Sequence, residues 1–107
     1  MLCSAADVES LDRLRLDTRR AAVDGPGRLD PAIRQRIAAG QPPAELAALV
    51  RKIRDHAYTV TDADVDALRS AYTEDQLFEL IVAAAIGAAE HRLHAAMAAL
   101  ADPEVQP

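Results

Sequence analysis

Apolar residues recur at intervals of three and four along most of this chain, which is the spacing of one face of an α-helix. The clearest stripe lies in residues 44–57. It consists of Leu46, Leu49, Val50, Ile53 and Ala57. Charged residues occupy the opposite side of the same segment, and the alternating pattern of a half-buried strand is almost absent from the chain. The pattern predicts an all-α protein whose helices each turn one side toward a common core.

Residues that start and stop helices divide the chain into five predicted helices. Three pairs have capping-box spacing, with Ser or Thr three residues before an acid or amide. These pairs are Ser4 with Asp7, Thr61 with Asp64, and Thr73 with Gln76. Gly25-Pro26-Gly27 ends the first helix, Asp30 before Pro31 begins the second, and Gly40 ends it. The third helix covers about 44–57, and residues 58–60 are expected to form a brief extended linker before the fourth.

The fifth predicted helix, residues 74–101, is long for so small a protein. It contains no proline, and its 28 residues at 1.5 Å per residue give about 42 Å. A compact domain of this length has a diameter of roughly 34 Å. Residues 80–89 are apolar on all sides, which indicates burial on every side, and Gly87 permits the close approach of a second backbone.

The simplest explanation is that this helix packs on its own chain with one face and on a neighbouring subunit with the other. We therefore predict a homo-oligomer that associates through the long helix. The predicted interface residues are Leu80, Ile81, Ala84, Ala85, Gly87 and Ala88.

Composition supports one helical domain covering residues 1–107 and narrows the classes of partner. Half of the residues are hydrophobic, but only three are aromatic and many are alanine, so burial per residue is small and partner contacts would add stability. The net charge of −5 argues against nucleic acid or an anionic membrane as the main ligand. The longest apolar run is 80–89, far short of the ~20 residues that span a bilayer. A soluble, cytoplasmic protein is expected.

Two groups of residues could carry chemistry. His56, beside Asp55 and Tyr58, could act as a general base if a pocket closed over it. Glu90, His91 and His94 share one side of the long helix, and two such sides meeting across a symmetric interface could bind a metal. Both groups also have an ordinary structural explanation, because histidine near a helix C-terminus complements the helix dipole. No cofactor-binding motif is present, so no cofactor is expected.

Residues 60–80 are followed by an alanine-rich run at 81–89 and by Arg92-Leu93. This order of an acidic threonine-aspartate start, a turn, a second acidic helix start and a long alanine-rich helix resembles the C-terminal half of proteins in the carboxymuconolactone decarboxylase and alkylhydroperoxidase D superfamily. The similar region covers about residues 44–100, and residues 4–40 would be a helical N-terminal extension. The resemblance implies an all-α fold, homo-oligomers assembled through the long helix, and a cytoplasmic setting.

The departures from the superfamily pattern bear directly on function. Its peroxidases reduce hydroperoxides through a CxxC pair followed by histidine, whereas this chain has one cysteine, Cys3, outside the similar region. Thiol peroxidase activity is therefore not expected. Tyr72 also stands where relatives usually have glycine.

Three hypotheses follow from the residues and the resemblance. The first is a carboxymuconolactone decarboxylase-like homo-oligomer with a binding or structural role, which supports a catalytically complete relative. The second is a cofactor-free enzyme acting on a small lactone or acid in an inter-subunit pocket, with His56 as base. The third is an oligomer that binds metal through His91 and His94.

Overall fold

Five α-helices form the chain in the computed structural model, which describes residues 5–101 and, within them, side chains from residue 9 onward. They are α1 (Ala5–Arg19), α2 (Pro31–Ala38), α3 (Ala47–His56), α4 (Asp62–Asp66) and α5 (Glu74–Ala101). A π-helical turn, Arg20–Asp24, extends α1, and 3-10 turns at Ala44–Leu46 and Ala57–Thr59 flank α3. No strand occurs in the described range. The all-α prediction is confirmed.

The predicted capping residues start three of these helices. The side chain of Asp30 accepts a hydrogen bond from the backbone N–H of Ala32 at 2.9 Å. Thr61 and Asp64 form a reciprocal capping box. The Thr73 N–H donates to Oε1 of Gln76 at 3.0 Å, and the Gln76 N–H donates to Oγ1 of Thr73 at 3.2 Å. Ser4 and Cys3 lie outside the described residues.

The predicted extended linker after α3 is wrong. Residues Ala57–Thr59 form a 3-10 turn, closed by the Val60 N–H donating to the Ala57 carbonyl at 3.2 Å. The tighter turn also rotates Ala57 out to solvent, so this last residue of the predicted α3 stripe is exposed. The other four, Leu46, Leu49, Val50 and Ile53, are buried as predicted.

The core lies where α2 and α3 pack against one face of α5. From α5 it receives Leu77, Leu80, Ala83 and Ala84, all 3% exposed or less. A Cβ atom on Gly87 would overlap the backbone of Ala38. The missing side chain therefore lets the end of α2 approach α5, within the same chain. The second backbone predicted at Gly87 is that of α2.

The segment between α1 and α2 is held by two charged side chains. Arg34, only 1% exposed, donates from Nε to the Leu29 carbonyl at 3.1 Å and from its terminal nitrogens to the carbonyls of Ala22 and Gly25. Glu79 of α5 accepts from the N–H groups of Arg28 and Leu29 at 2.8 and 2.6 Å. These hydrogen bonds satisfy backbone groups of the segment that follows α1. They also fix the direction of α1 relative to α5.

The C-terminal part of α5 extends beyond the rest of the fold. Every residue from His91 to Ala101 is exposed. The radius of gyration is 16.3 Å, compared with about 13 Å for a compact domain of this size. The expected projection of the long helix is confirmed.

Candidate functional site

His56, the predicted general base, is the last residue of α3 and is exposed. Its ring lies edge-on to Tyr58, with 5.8 Å between ring centroids, and Tyr58 is 87% exposed. A cavity of about 240 Å³ beside α3 is lined by Arg51, Arg54 and Asp55 but not by His56. The single chain therefore does not cover His56 in the way that general base catalysis needs. Only a second subunit could do so, and that role stays a prediction.

The predicted metal ligands lie near one another but have other neighbours. Glu90 forms an ion pair with Arg19 of α1. His91 and His94 line a cavity of about 370 Å³ together with Arg54 and the end of α2. Within residues 5–101, no three His, Cys, Asp or Glu side chains are grouped in a way that could hold a metal ion. These neighbours belong to one chain, whereas the predicted metal site joins the same side of two copies, so that site stays a prediction.

The predicted interface residues occupy different surroundings. Leu80, Ala84, Gly87 and Ala88 are buried within the chain by its own neighbouring helices. Ile81 is half-buried and Ala85 is exposed. The prediction of burial on every side treats the whole apolar run as one surface, but α2 and α3 cover only one side of it. An interface on α5 therefore has to use the opposite side.

That opposite side carries an apolar stripe along the whole of α5. We call it the α5 stripe. It consists of Phe78, Val82, Ala85, Ala89, Leu93, Ala96 and Leu100. Phe78 is 70% exposed, Leu93 41% and Leu100 68%, and no charged residue interrupts the set. Exposed leucine and phenylalanine in one continuous row differ from the scattered single apolar residues that ordinary surfaces show.

α1 extends this apolar surface on one side. Leu11 and Leu14 are 61% and 63% exposed. They line a groove of about 360 Å³ between α1 and α5, opposite Ile86, Ala89 and Leu93. α1 is tied to α5 at its C-terminal end by the Arg19–Glu90 ion pair. We call Leu11, Leu14 and the α5 stripe together the outer apolar face.

The groove continues toward the start of α5 as a wider cavity of about 630 Å³. Thr18 borders both parts. Ala21, Ala22, Phe78 and Val82 line the wider part, with Arg28, Arg34 and Asp75 at its polar edge. The polar nitrogens of Arg34 are already bonded to backbone carbonyls, so this residue supports the fold and is not directed at a ligand.

The sequence signal for the outer apolar face lies beyond residues 80–89, because that run is apolar on every side of the helix. The spacing of four, three, four, four, three and four residues continues through 93, 96 and 100, beyond the run that is apolar on all sides. Leu93, Ala96 and Leu100 are therefore the residues that mark the uncovered side. No described helix combines the length and apolar character that crossing a membrane requires.

Comparison with known proteins adds no family to these observations. No protein-family model, no curated protein and no solved structure matches the chain. The candidate site is therefore defined by its own geometry, as an uncovered apolar face built from α1 and α5 of an all-α domain.

Proposed function

We propose that the protein is a helical homo-oligomer with a binding or structural role, similar to the carboxymuconolactone decarboxylase and alkylhydroperoxidase D superfamily but without its CxxC pair. The observation that carries the proposal is the outer apolar face. Large apolar side chains stand exposed along both α1 and α5, and a soluble chain gains free energy by covering them.

The size of that gain is large relative to the stability of a small domain. Burying a side chain such as Leu93 or Phe78 is worth about 1.5–3 kcal/mol when it moves from full exposure to full burial. Five such side chains on the outer apolar face are more than 40% exposed. They are Leu11, Leu14, Phe78, Leu93 and Leu100. A domain of this kind is stable by only about 5–15 kcal/mol. Self-association would therefore be a major part of the stability of the folded chain.

The chemistry of the chain favours a binding or structural role over redox catalysis. A thiol peroxidase needs an attacking thiolate and a resolving partner, and this sequence has one cysteine. The superfamily resemblance of residues 44–100 supports assembly through the long helix. A binding or structural role is the one that this combination fits best.

The proposal is tested by placing a charge on the outer apolar face. Leu93→Glu puts a carboxylate in the middle of the α5 stripe, and we expect it to reduce the mass measured by light scattering to that of one chain, 11.5 kDa. Ala95→Glu is the matched control, because Ala95 is exposed on the same helix but lies outside the stripe. Far-ultraviolet circular dichroism checks that both variants remain helical.

Loss of association in Leu93→Glu with retention in Ala95→Glu would support the proposal. An unchanged oligomer in both variants would show that the outer apolar face is not the contact surface. Wild-type protein that elutes as a single chain would overturn the proposal as a whole.

A further inference from the structure

The positions of the α5 stripe are spaced symmetrically about Ala89. Its positions are 78, 82, 85, 89, 93, 96 and 100, so the intervals are four, three and four on each side of Ala89. A surface that two identical chains share across a two-fold axis has to be complementary to itself. A row of contacts that is symmetric about one residue meets this requirement when two copies of the helix run antiparallel.

The sizes of the side chains are consistent with that arrangement. Antiparallel alignment about Ala89 places Val82 opposite Ala96 and Ala85 opposite Leu93 of the second copy, so that each larger side chain meets a small one. Phe78 lies opposite Leu100 at either end, and Ala89 meets its own copy. Small residues at the centre allow two helix axes to approach to the shorter end of the usual 8–10 Å range.

The long-range period of the stripe keeps it on one side of a straight helix. Phe78, Ala89 and Leu100 are separated by eleven residues each. Eleven residues in three turns correspond to about 3.67 residues per turn, close to the 3.6 of an undistorted α-helix. Two copies of α5 can therefore remain in contact along the stripe with a slight right-handed supercoil, in place of the left-handed one that a seven-residue repeat imposes.

α1 adds a second layer to the same contact. Leu11 and Leu14 border the groove that Ala89 and Leu93 line, so a two-fold axis at Ala89 brings α1 of each copy to the same side of the α5 pair. Taking about 10 Å of width over the 28 residues of α5 and the 15 residues of α1, the two helices present roughly 650 Å² per chain. A stable interface buries about 800 Å² per partner. The available face is therefore close to what a dimer needs.

We propose that two copies of this chain associate antiparallel along α5, with a two-fold axis at Ala89, to form a four-helix arrangement of two α1 and two α5 helices. This inference rests on the proposed function, since it specifies the partner and geometry of the same surface. The occupant of the groove between α1 and α5 is then the α1 and α5 face of the second copy.

Cysteine cross-linking in a Cys3→Ser background tests this geometry. Ala89→Cys places two thiols at the axis, and under mild oxidation we expect a disulfide-linked dimer, because a disulfide joins Cα atoms about 4.4–6.8 Å apart. Ala85→Cys alone should not link, since its copy would lie about 12 Å away along the helix, eight residues at 1.5 Å. The double variant Ala85→Cys/Leu93→Cys should link again. Ala95→Cys, exposed but outside the stripe, is the control.

The outcomes separate this inference from the proposed function. Linking at Ala89 and in the double variant, but not at Ala85 alone or at Ala95, supports the antiparallel dimer. Equal linking at Ala85 and Ala89 would indicate a parallel pair and overturn it. An oligomer in native mass spectrometry with no linking at any of these sites would overturn the geometry but leave the proposed function standing. A single-chain mass would overturn both.

Discussion

Gly87 lies where α5 crosses the end of α2, and this contact depends on its missing side chain. We expect Gly87→Ala to lower the free energy of unfolding by up to about 2 kcal/mol, because overpacking costs ~1–3 kcal/mol and the gain in helix propensity returns only about 1 kcal/mol. Urea denaturation of the two proteins measures the difference.

Ala95→Gly provides the opposite control. Ala95 is exposed on the same helix and lies outside the α5 stripe, so this substitution should cost only the helix propensity, about 1 kcal/mol. If propensity alone decided the outcome, Gly87→Ala would stabilise the protein by a similar amount. A stabilised Gly87→Ala variant would therefore contradict the close packing of α2 on α5.

Glu79 makes the stability of the folded chain depend on pH. Partial burial raises the pKa of this carboxyl, but the hydrogen bonds from the Arg28 and Leu29 N–H groups and the charges of Arg34 and Arg28 outweigh that effect, and its pKa lies below the ordinary value. A lowered pKa in the folded state stabilises the protein above the pKa of the unfolded chain. That stability is lost as the pH falls below about 4.3, the ordinary pKa of a glutamate, and through the lowered value of the folded state.

We expect Glu79→Gln to be less stable than wild type at pH 7 and closer to it at pH 3. An amide offers only one oxygen to two backbone donors, so one N–H loses its acceptor at neutral pH. Thermal unfolding at both pH values measures the difference in Tm. Glu9→Gln, on the exposed side of α1, should follow the wild type throughout. If the difference in Tm between Glu79→Gln and wild type is the same at pH 3 and pH 7, the carboxylate does not have this role.

Some residues with clear structural roles could not be predicted from sequence. Arg34 is nearly fully buried, although arginine is almost always exposed, and nothing in its neighbours along the chain signals the three carbonyls that it binds. Tyr72 occupies an ordinary turn. Among residues 5–101 only Gly40 has a positive φ. The Tyr72 hydroxyl donates to Glu45 at 2.8 Å, which ties the turn before α5 to the start of α3.

At the scale of elements, capping chemistry and periodicity predicted most of what the structure contains. The starts of α2, α4 and α5 follow from side chains that bond the first free N–H groups, and those signals are local. The covered side of α5 is different, because a segment that is apolar all round carries no directional information. Only the position of α2 and α3 decides that Leu80 is core while Ala85 and Ala89 remain exposed.

The two ends of α5 should therefore differ in hydrogen exchange. Amides in 77–88, packed on α2 and α3, should exchange slowly at any protein concentration. Amides in 91–101 have exposed side chains within one chain, so their protection should depend on association and fall when the protein is diluted. Mass spectrometry of peptides at two concentrations measures both, with α3 as an internal reference. Concentration-independent protection of 91–101 would argue against a shared α5.

At the scale of the whole molecule, the elongated shape and the outer apolar face have a common origin. The described core is too small to enclose a 28-residue helix, so α5 projects, and the side that α2 and α3 leave uncovered carries the apolar stripe. The sequence predicted the length and the projection, since both follow from counting residues. The surface available to a partner required the fold, because four of the six predicted contact residues are buried within the chain.

Native mass spectrometry of the untagged protein tests self-association, the central claim, most directly. We predict a closed oligomer whose mass is a whole multiple of 11.5 kDa. A single-chain mass across micromolar concentrations would contradict the account, because the outer apolar face would then stay exposed to water without a second copy to cover it.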